Sequence, residues 1–193
     1  MRKFVAVVIG VALLATGACA AELNVYDVFA NRGMVSSAHE LASKAGVEIM
    51  QRGGNAIDAA VATLLALNVV ESNASGIGGG GFSTIRFAKT GEVVELDYRE
   101  IAPLSATKDM YASEESKKAQ ESVVGGKAVG VPGIVMGIFT MLEKYGTMSF
   151  AEVAEPAIRL AEEGFEVHPM QNGIIRDEFD KLSKYSPECA FLP

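Results

Sequence analysis

Between Ala56 and Val70 only three side chains are polar, Asp58, Thr63 and Asn68. A helix that is apolar on almost every side belongs at the centre of a packed core, with other elements gathered around it. The punctuation before it sets its start. Gly53-Gly54 ends one helix and Asn55 is suited to cap the next. The preceding helix is expected over about 37–52. Ser37 and Glu40 have capping-box spacing there, and Ala38, Leu41, Ala42, Ala45 and Ile49 recur at helical intervals. At 49% hydrophobic and 21% charged, the chain has apolar side chains enough for a real core, which excludes disorder as its main state. Its 193 residues suit one domain or a piece of something larger.

Downstream, Gly76 to Gly81 is nearly all glycine and leads into two short segments, Phe82 to Ala88 and Glu92 to Arg99, joined through Lys89-Thr90-Gly91. This pattern predicts a β-hairpin. Side chains alternate across a strand, so Val94, Leu96 and Tyr98 face the core while Glu95, Asp97 and Arg99 face away. The polar stretch 105–122 reads as a surface excursion with a short helix around Lys108 to Tyr111. Further helices are expected from Ile134 to Lys144, ended by Gly146, and from a Ser149 cap to about Glu163, with Pro156 kinking or interrupting the second. Ile174, Ile175, Phe179 and Leu182 suggest one last amphipathic helix before Pro187. There is no internal repeat.

The N-terminus reads as an export signal over residues 1–20. Arg2 and Lys3 precede an apolar run from Phe4 to Leu14, and small residues ending Ala18-Cys19-Ala20 follow. That run is well short of the roughly 20 residues that span a bilayer, so no stable membrane span is expected. The mature part is then 21–193, exported to the periplasm or secreted. Cleavage just before Cys19, with a lipid anchor there, is the alternative, although Thr16 stands where such signals usually carry Leu. Cleavage after Ala20 leaves Cys189 as the single thiol, hence no internal disulfide.

Several chemistries can be set aside. A net charge of -7 without long runs of like charge argues against nucleic-acid binding through phosphates. Gly76, Gly78 and Gly81 satisfy G-x-G-x-x-G, but a helix precedes them and a strand follows, the reverse of a dinucleotide site. His39-Glu40 begins a zinc-protease motif whose second histidine is replaced by Ser43, and His168 is the chain's other histidine. No G-x-S-x-G elbow occurs and no cysteine stands near a histidine in sequence. Arg99 is different. It ends a strand on the polar face, where the chain leaves the sheet, and its planar fork can hold a carboxylate through two parallel hydrogen bonds. The competing reading is an ion pair with Asp97, Glu95 or Glu100, and spacing alone leans that way.

Three segments together carry a resemblance: Gly53-Gly54-Asn55-Ala56-Ile57-Asp58-Ala59-Ala60-Val61-Ala62, then Gly76-Ile77-Gly78-Gly79-Gly80-Gly81-Phe82, then Asp97-Tyr98-Arg99-Glu100-Ile101-Ala102-Pro103. Val129-Gly130-Val131-Pro132-Gly133, Tyr145-Gly146-Thr147 and the run from Glu155 to Phe165 continue it in order. The chain resembles γ-glutamyltransferases, or glutathione hydrolases, over about 25–193. The resemblance implies an α+β fold of the N-terminal-nucleophile hydrolase type, two stacked sheets between helical layers (αββα), incomplete in this chain. It further implies a precursor cut into a large and a small subunit, with this chain the first part of the large one. The reaction implied is transfer of a γ-glutamyl group from glutathione or related compounds to water, an amino acid or a peptide, through an acyl-threonine and with no metal or organic cofactor. In the family the arginine of R-E-x-A-P binds the substrate α-carboxylate, and the matching residue is Arg99. That turns the balance toward substrate binding.

The attacking group is what the pattern lacks. The family's nucleophile is a threonine with a free amine, in a Thr-Thr-His-like context. None of Thr16, Thr63, Thr84, Thr90, Thr107, Thr140 or Thr147 precedes a threonine or histidine. An internal threonine has no terminal amine to act as its base. The nucleophile is therefore expected downstream of Pro193, and the chain alone is expected to be inactive. Two alternatives stay open: an acylase on the same fold, acting on cephalosporin side chains or poly-γ-glutamate, and a non-catalytic exported remnant.

Overall fold

The computed structural model describes residues 28–185. The expected leader 1–20, Cys19, Pro187 and Cys189 lie outside them. The chain divides into two units, Met1–Arg32 and Gly33–Pro193. Of the first, residues 28–32 are described, and they are irregular and exposed. The second carries all the described regular structure, and it is α+β.

The apolar segment forms α2 (Ala56–Val70), with α1 (Glu40–Gln51) before it. Between them Gly53 adopts φ 100°, and the N–H groups of Gly54 and Gly53 donate to the carbonyls of Ile49 and Met50. That pairing closes the C-terminus of α1, and the left-handed residue it needs favours glycine. α2 packs against α1, α4 (Ile134–Tyr145) and α5 (Phe150–Glu163), as its composition requires. The crossing with α1 is close: a Cβ on Gly46 would lie 2.2 Å from Thr63 Oγ1. One core cluster joins Ile49, Val61, Ile134, Ile138, Met141 and Val153; a second joins Ala42, Ala45, Ala66, Val70 and Ala157.

Asp58 is fully buried at the start of α2. It completes a capping box: Asn55 N–H donates to its Oδ2 at 2.8 Å, and Asn55 Oδ1 accepts from Ile57 and Asp58. The same carboxylate reaches the α4–α5 loop. Thr147 N–H donates to Oδ1 at 2.9 Å, Thr147 Oγ1 to Oδ2 at 2.6 Å and Met148 N–H to Oδ1 at 3.2 Å. Asn55 Nδ2 donates to Tyr145 O at 2.7 Å, adding a tie to the end of α4.

β1 (Phe82–Arg86) pairs antiparallel with β2 (Val93–Asp97), from Phe82↔Asp97 to Arg86↔Val93. Ile85 is buried, and Leu96 and Tyr98 pack on the first core cluster, while Phe82, Thr84, Glu95, Asp97 and Arg99 are exposed. The alternation expected from sequence is therefore present.

Four local expectations are corrected. Ser37 does not cap α1: its hydroxyl donates to His39 O, and His39 Nδ1 accepts from Leu41 N–H instead. The short helix is not at Lys108 to Tyr111 but is α3 (Glu114–Lys118), where Ser113 caps and acidic and basic residues sit at the ends that suit the helix dipole. Pro156 does not interrupt α5, which runs through it with the ring fully buried. The final helix is two, α6 (Pro169–Asp177) and α7 (Phe179–Tyr185). Ile174, Ile175 and Leu182 are only half-buried, so no continuous apolar seam holds them as one.

Burial alone would raise the Asp58 pKa, but the Thr147 hydroxyl and the N–H groups of Asn55, Thr147 and Met148 outweigh it and hold the group below the usual aspartate value. Its stabilisation is therefore present above the unfolded pKa near 3.8 and is lost as pH falls through the lower folded value. Asp58→Ala strands those donors and should cost about 2–4 kcal/mol in urea unfolding at pH 7. The gap to wild type should shrink as the medium is acidified below about pH 4.

Candidate functional site

The site is assembled where three glycine-bearing segments cross. Tyr98 and Gly81 exchange backbone hydrogen bonds, extending the hairpin beyond its regular part. Gly79 O accepts from both Gly133 N–H and Ile134 N–H at 3.1 Å. The glycine turn thereby caps α4, whose N-cap residue Gly133 has no side chain to do so. Ile101 and Val131 then exchange bonds of 3.2 and 2.9 Å in an isolated antiparallel bridge. The stretch Tyr98–Ile101 is thus held by Gly79–Gly81 and by Val131–Gly133.

Tyr98 is the residue that sequence reasoning took for a simple core position. Its hydroxyl lies 2.9 Å from Ser83 Oγ. An added Cβ on Gly133 would stand 2.1 Å from Tyr98 O, and one on Gly137 would stand 2.4 Å from its ring. A Cβ on Gly80 would meet Tyr98 O at 2.5 Å and Arg99 Cα at 2.8 Å. These glycines are required by close approach, since a methyl group would overlap the site backbone at Gly80 and Gly133 and the Tyr98 ring at Gly137. Their spacing around an R-E-x-A-P segment is the sequence signal that could have revealed the crossing.

Arg99 leaves this anchored backbone with its side chain 53% exposed. Asp97 does not pair with the guanidinium; its Oδ1 accepts from Arg99 N–H at 2.9 Å. The ion pair is with Glu100, Nη2 to Oε2 at 3.2 Å. Arg99 is therefore held in a structural ion pair while its guanidinium stays half open to solvent. Beside it lies a cleft of about 310 Å³ whose lining includes Leu96, Arg99, Ile101, Pro132, Met136 and Thr140. Cation and apolar walls together suit an acid with a carbon chain. His39 and His168 are not brought to this cleft. Each caps a helix through Nδ1, His39 for α1 and His168 for α6. Thr140 lines the cleft but is internal to α4, so it has no terminal amine.

The described fold superposes on solved structures at well above chance similarity. The γ-glutamyltranspeptidase of Helicobacter pylori superposes with a TM-score of 0.79 at 41% identity, covering 86% of this chain and 49% of that one. Residues 42–192 match the family model described as gamma-glutamyltranspeptidase, and the chain belongs to that family. Among its relatives, the glutathione hydrolase proenzyme of Bacillus subtilis is 46% identical over 163 residues, or 83% of this chain and 28% of the relative. The acylase ACY 1 proenzyme of Pseudomonas sp. strain V22 is 47% identical over 169 residues, or 84% and 30%. The chain therefore spans under a third of the length of these relatives.

Gly133→Ala leaves its own backbone angles allowed and acts through the clash with Tyr98. It should lower unfolding stability by about 1–3 kcal/mol and shift the backbone amide resonances of Tyr98 to Ile101 more than those of α1.

Proposed function

We propose that this chain supplies the carboxylate-binding part of an exported γ-glutamyltransferase, with Arg99 gripping the α-carboxylate of glutathione or another γ-glutamyl compound. The observation that carries this reading is a half-exposed guanidinium on an over-determined backbone beside a cleft, within the R-E-x-A-P segment on which the resemblance rests. A fork presented this way can take a carboxylate through two charge-assisted hydrogen bonds. The γ-carbonyl is attacked by a threonine outside this chain, on a small subunit released from the same precursor. The precursor names of the relatives support that division. The acceptor is water, an amino acid or a peptide. On this reading the hairpin belongs to one of two stacked sheets in an αββα arrangement, and residues 1–20 direct export. Among the described residues no helix is long and apolar enough to cross a membrane.

An acylase acting on other amides is the second reading, favoured by a relative of that name being as similar as the glutathione hydrolases. The two differ in what Arg99 must hold: a γ-glutamyl donor brings a carboxylate beside an α-amine, whereas a glutaryl amide brings a carboxylate without one.

Titrating the protein with L-glutamate and with glutarate, followed by NMR, tests the assignment. Glutamate should perturb the Arg99 side-chain resonance, and Arg99→Ala should weaken binding by about tenfold to a hundredfold. Arg99→Lys should recover little, because an ammonium lacks the planar fork. Unchanged affinity in Arg99→Ala would remove the assignment, and tighter glutarate binding would favour the acylase reading.

A further inference from the structure

We infer that the Phe82 ring is a positioning platform for Arg99, holding the guanidinium in the orientation from which it binds a carboxylate. This rests on the reading of Arg99 given above. The outer face of the hairpin is otherwise mostly polar, with Thr84, Arg86, Glu95 and Asp97 beside it, yet Phe82 stands on it with 60% of its surface exposed. A single exposed aromatic is ordinary on a protein surface, and what sets Phe82 apart is the group it faces.

The register identifies that group. Phe82 lies opposite Asp97, and Gly81 lies opposite Tyr98, which sets Gly80 across from Arg99. Gly80 has no side chain, so Arg99 has no direct cross-strand neighbour to lean on. Its diagonal neighbour on the same face is Phe82, a separation that long and aromatic side chains bridge. The Arg99 Cζ atom indeed lies over the Phe82 ring, 5.9 Å from its centroid. A guanidinium over a ring face is attracted by the ring quadrupole. Asp97 cannot supply this support, because its carboxylate is turned to the Arg99 backbone N–H. Glu100 restrains one edge of the fork through a single contact. The ring adds a second attraction on the cation, narrowing the orientations from which two parallel hydrogen bonds to a carboxylate can form.

The Phe82 carbonyl also accepts from Tyr98 Oη at 3.3 Å, but that contact is made by backbone and survives any side chain at this position. The role assigned to the ring can therefore be separated from a structural one. Phe82→Leu keeps an apolar side chain without the quadrupole, whereas Phe82→Tyr and Phe82→Trp keep it.

Two measurements on the full chain test the inference. In the ligand-free protein, the Arg99 Nε–H resonance should carry a ring-current shift that disappears in Phe82→Leu and persists in Phe82→Tyr. In glutamate titrations, Phe82→Leu should weaken binding about two- to fivefold, Phe82→Tyr and Phe82→Trp should match wild type, and Phe82→Leu in an Arg99→Ala background should cause no further loss. An Arg99 resonance that does not move in Phe82→Leu overturns the platform whatever the ligand data show. So does equal weakening by Leu and Tyr, or an undiminished Leu effect without Arg99. Failure of the underlying assignment looks different: the ring-current shift is present but Arg99→Ala binds glutamate as wild type does.

Discussion

The buried carboxylate of Asp58 ties the beginning of α2 to the loop that ends α4, and the rest of the molecule hangs on that tie. A charge taken out of water is costly unless its oxygens are satisfied, and here the donors come from two segments far apart in sequence, Asn55 on one side and Thr147 on the other. The arrangement leaves room for nothing else. A Cβ on Gly146 would come within 2.8 Å of Asp58 Oδ1. Because α2 is wrapped by α1, α4 and α5, fixing its first turn fixes where those helices meet.

α4 then behaves as a strut between that tie and the candidate site. Its C-terminal end is held through Asn55 and Tyr145 O, and its N-terminal end donates two N–H groups to Gly79 O while Gly137 receives the Tyr98 ring. Packing, backbone hydrogen bonding and close approach thus converge on the strand that carries Arg99. For the role proposed for Arg99 such a base is an advantage, since every degree of freedom removed beforehand is one that ligand binding does not have to remove.

Much of this was legible in the sequence because it rests on local rules. The apolar run from Ala56, the Ser149 cap, and the alternation through Val94, Leu96 and Tyr98 each state their own structure. What was not legible depended on competition or distance. Ser37 and Glu40 have the spacing of a cap, but Ser37 finds partners in His39 O and Ser43 while Glu40 pairs with Lys44, so the helix starts two residues later than that motif suggests. Pro156 breaks a local rule and is tolerated because the core closes over its ring. Asp58 was visible as one polar residue in an apolar helix, yet its partners at Thr147 and Met148 are apparent only in three dimensions. The cation of the site was singled out from strand position and fork chemistry. The aromatic ring beneath it was not, because a diagonal contact depends on register, and register here follows from the pairing of Gly81 with Tyr98 beyond the regular hairpin.

The contact between Arg99 and Glu100 has a bearing on what kind of guest this cleft selects. The arginine brings its own counter-ion, so an approaching anion meets a nearly neutralised neighbourhood within a chain of net charge -7. Long-range attraction is correspondingly feeble, and the number of negative charges on a guest counts for little. Discrimination is left to short-range fit: how well one planar acid group lies along the uncovered edge of the fork. On the proposed assignment, affinity then comes from geometry at contact and not from attraction at a distance.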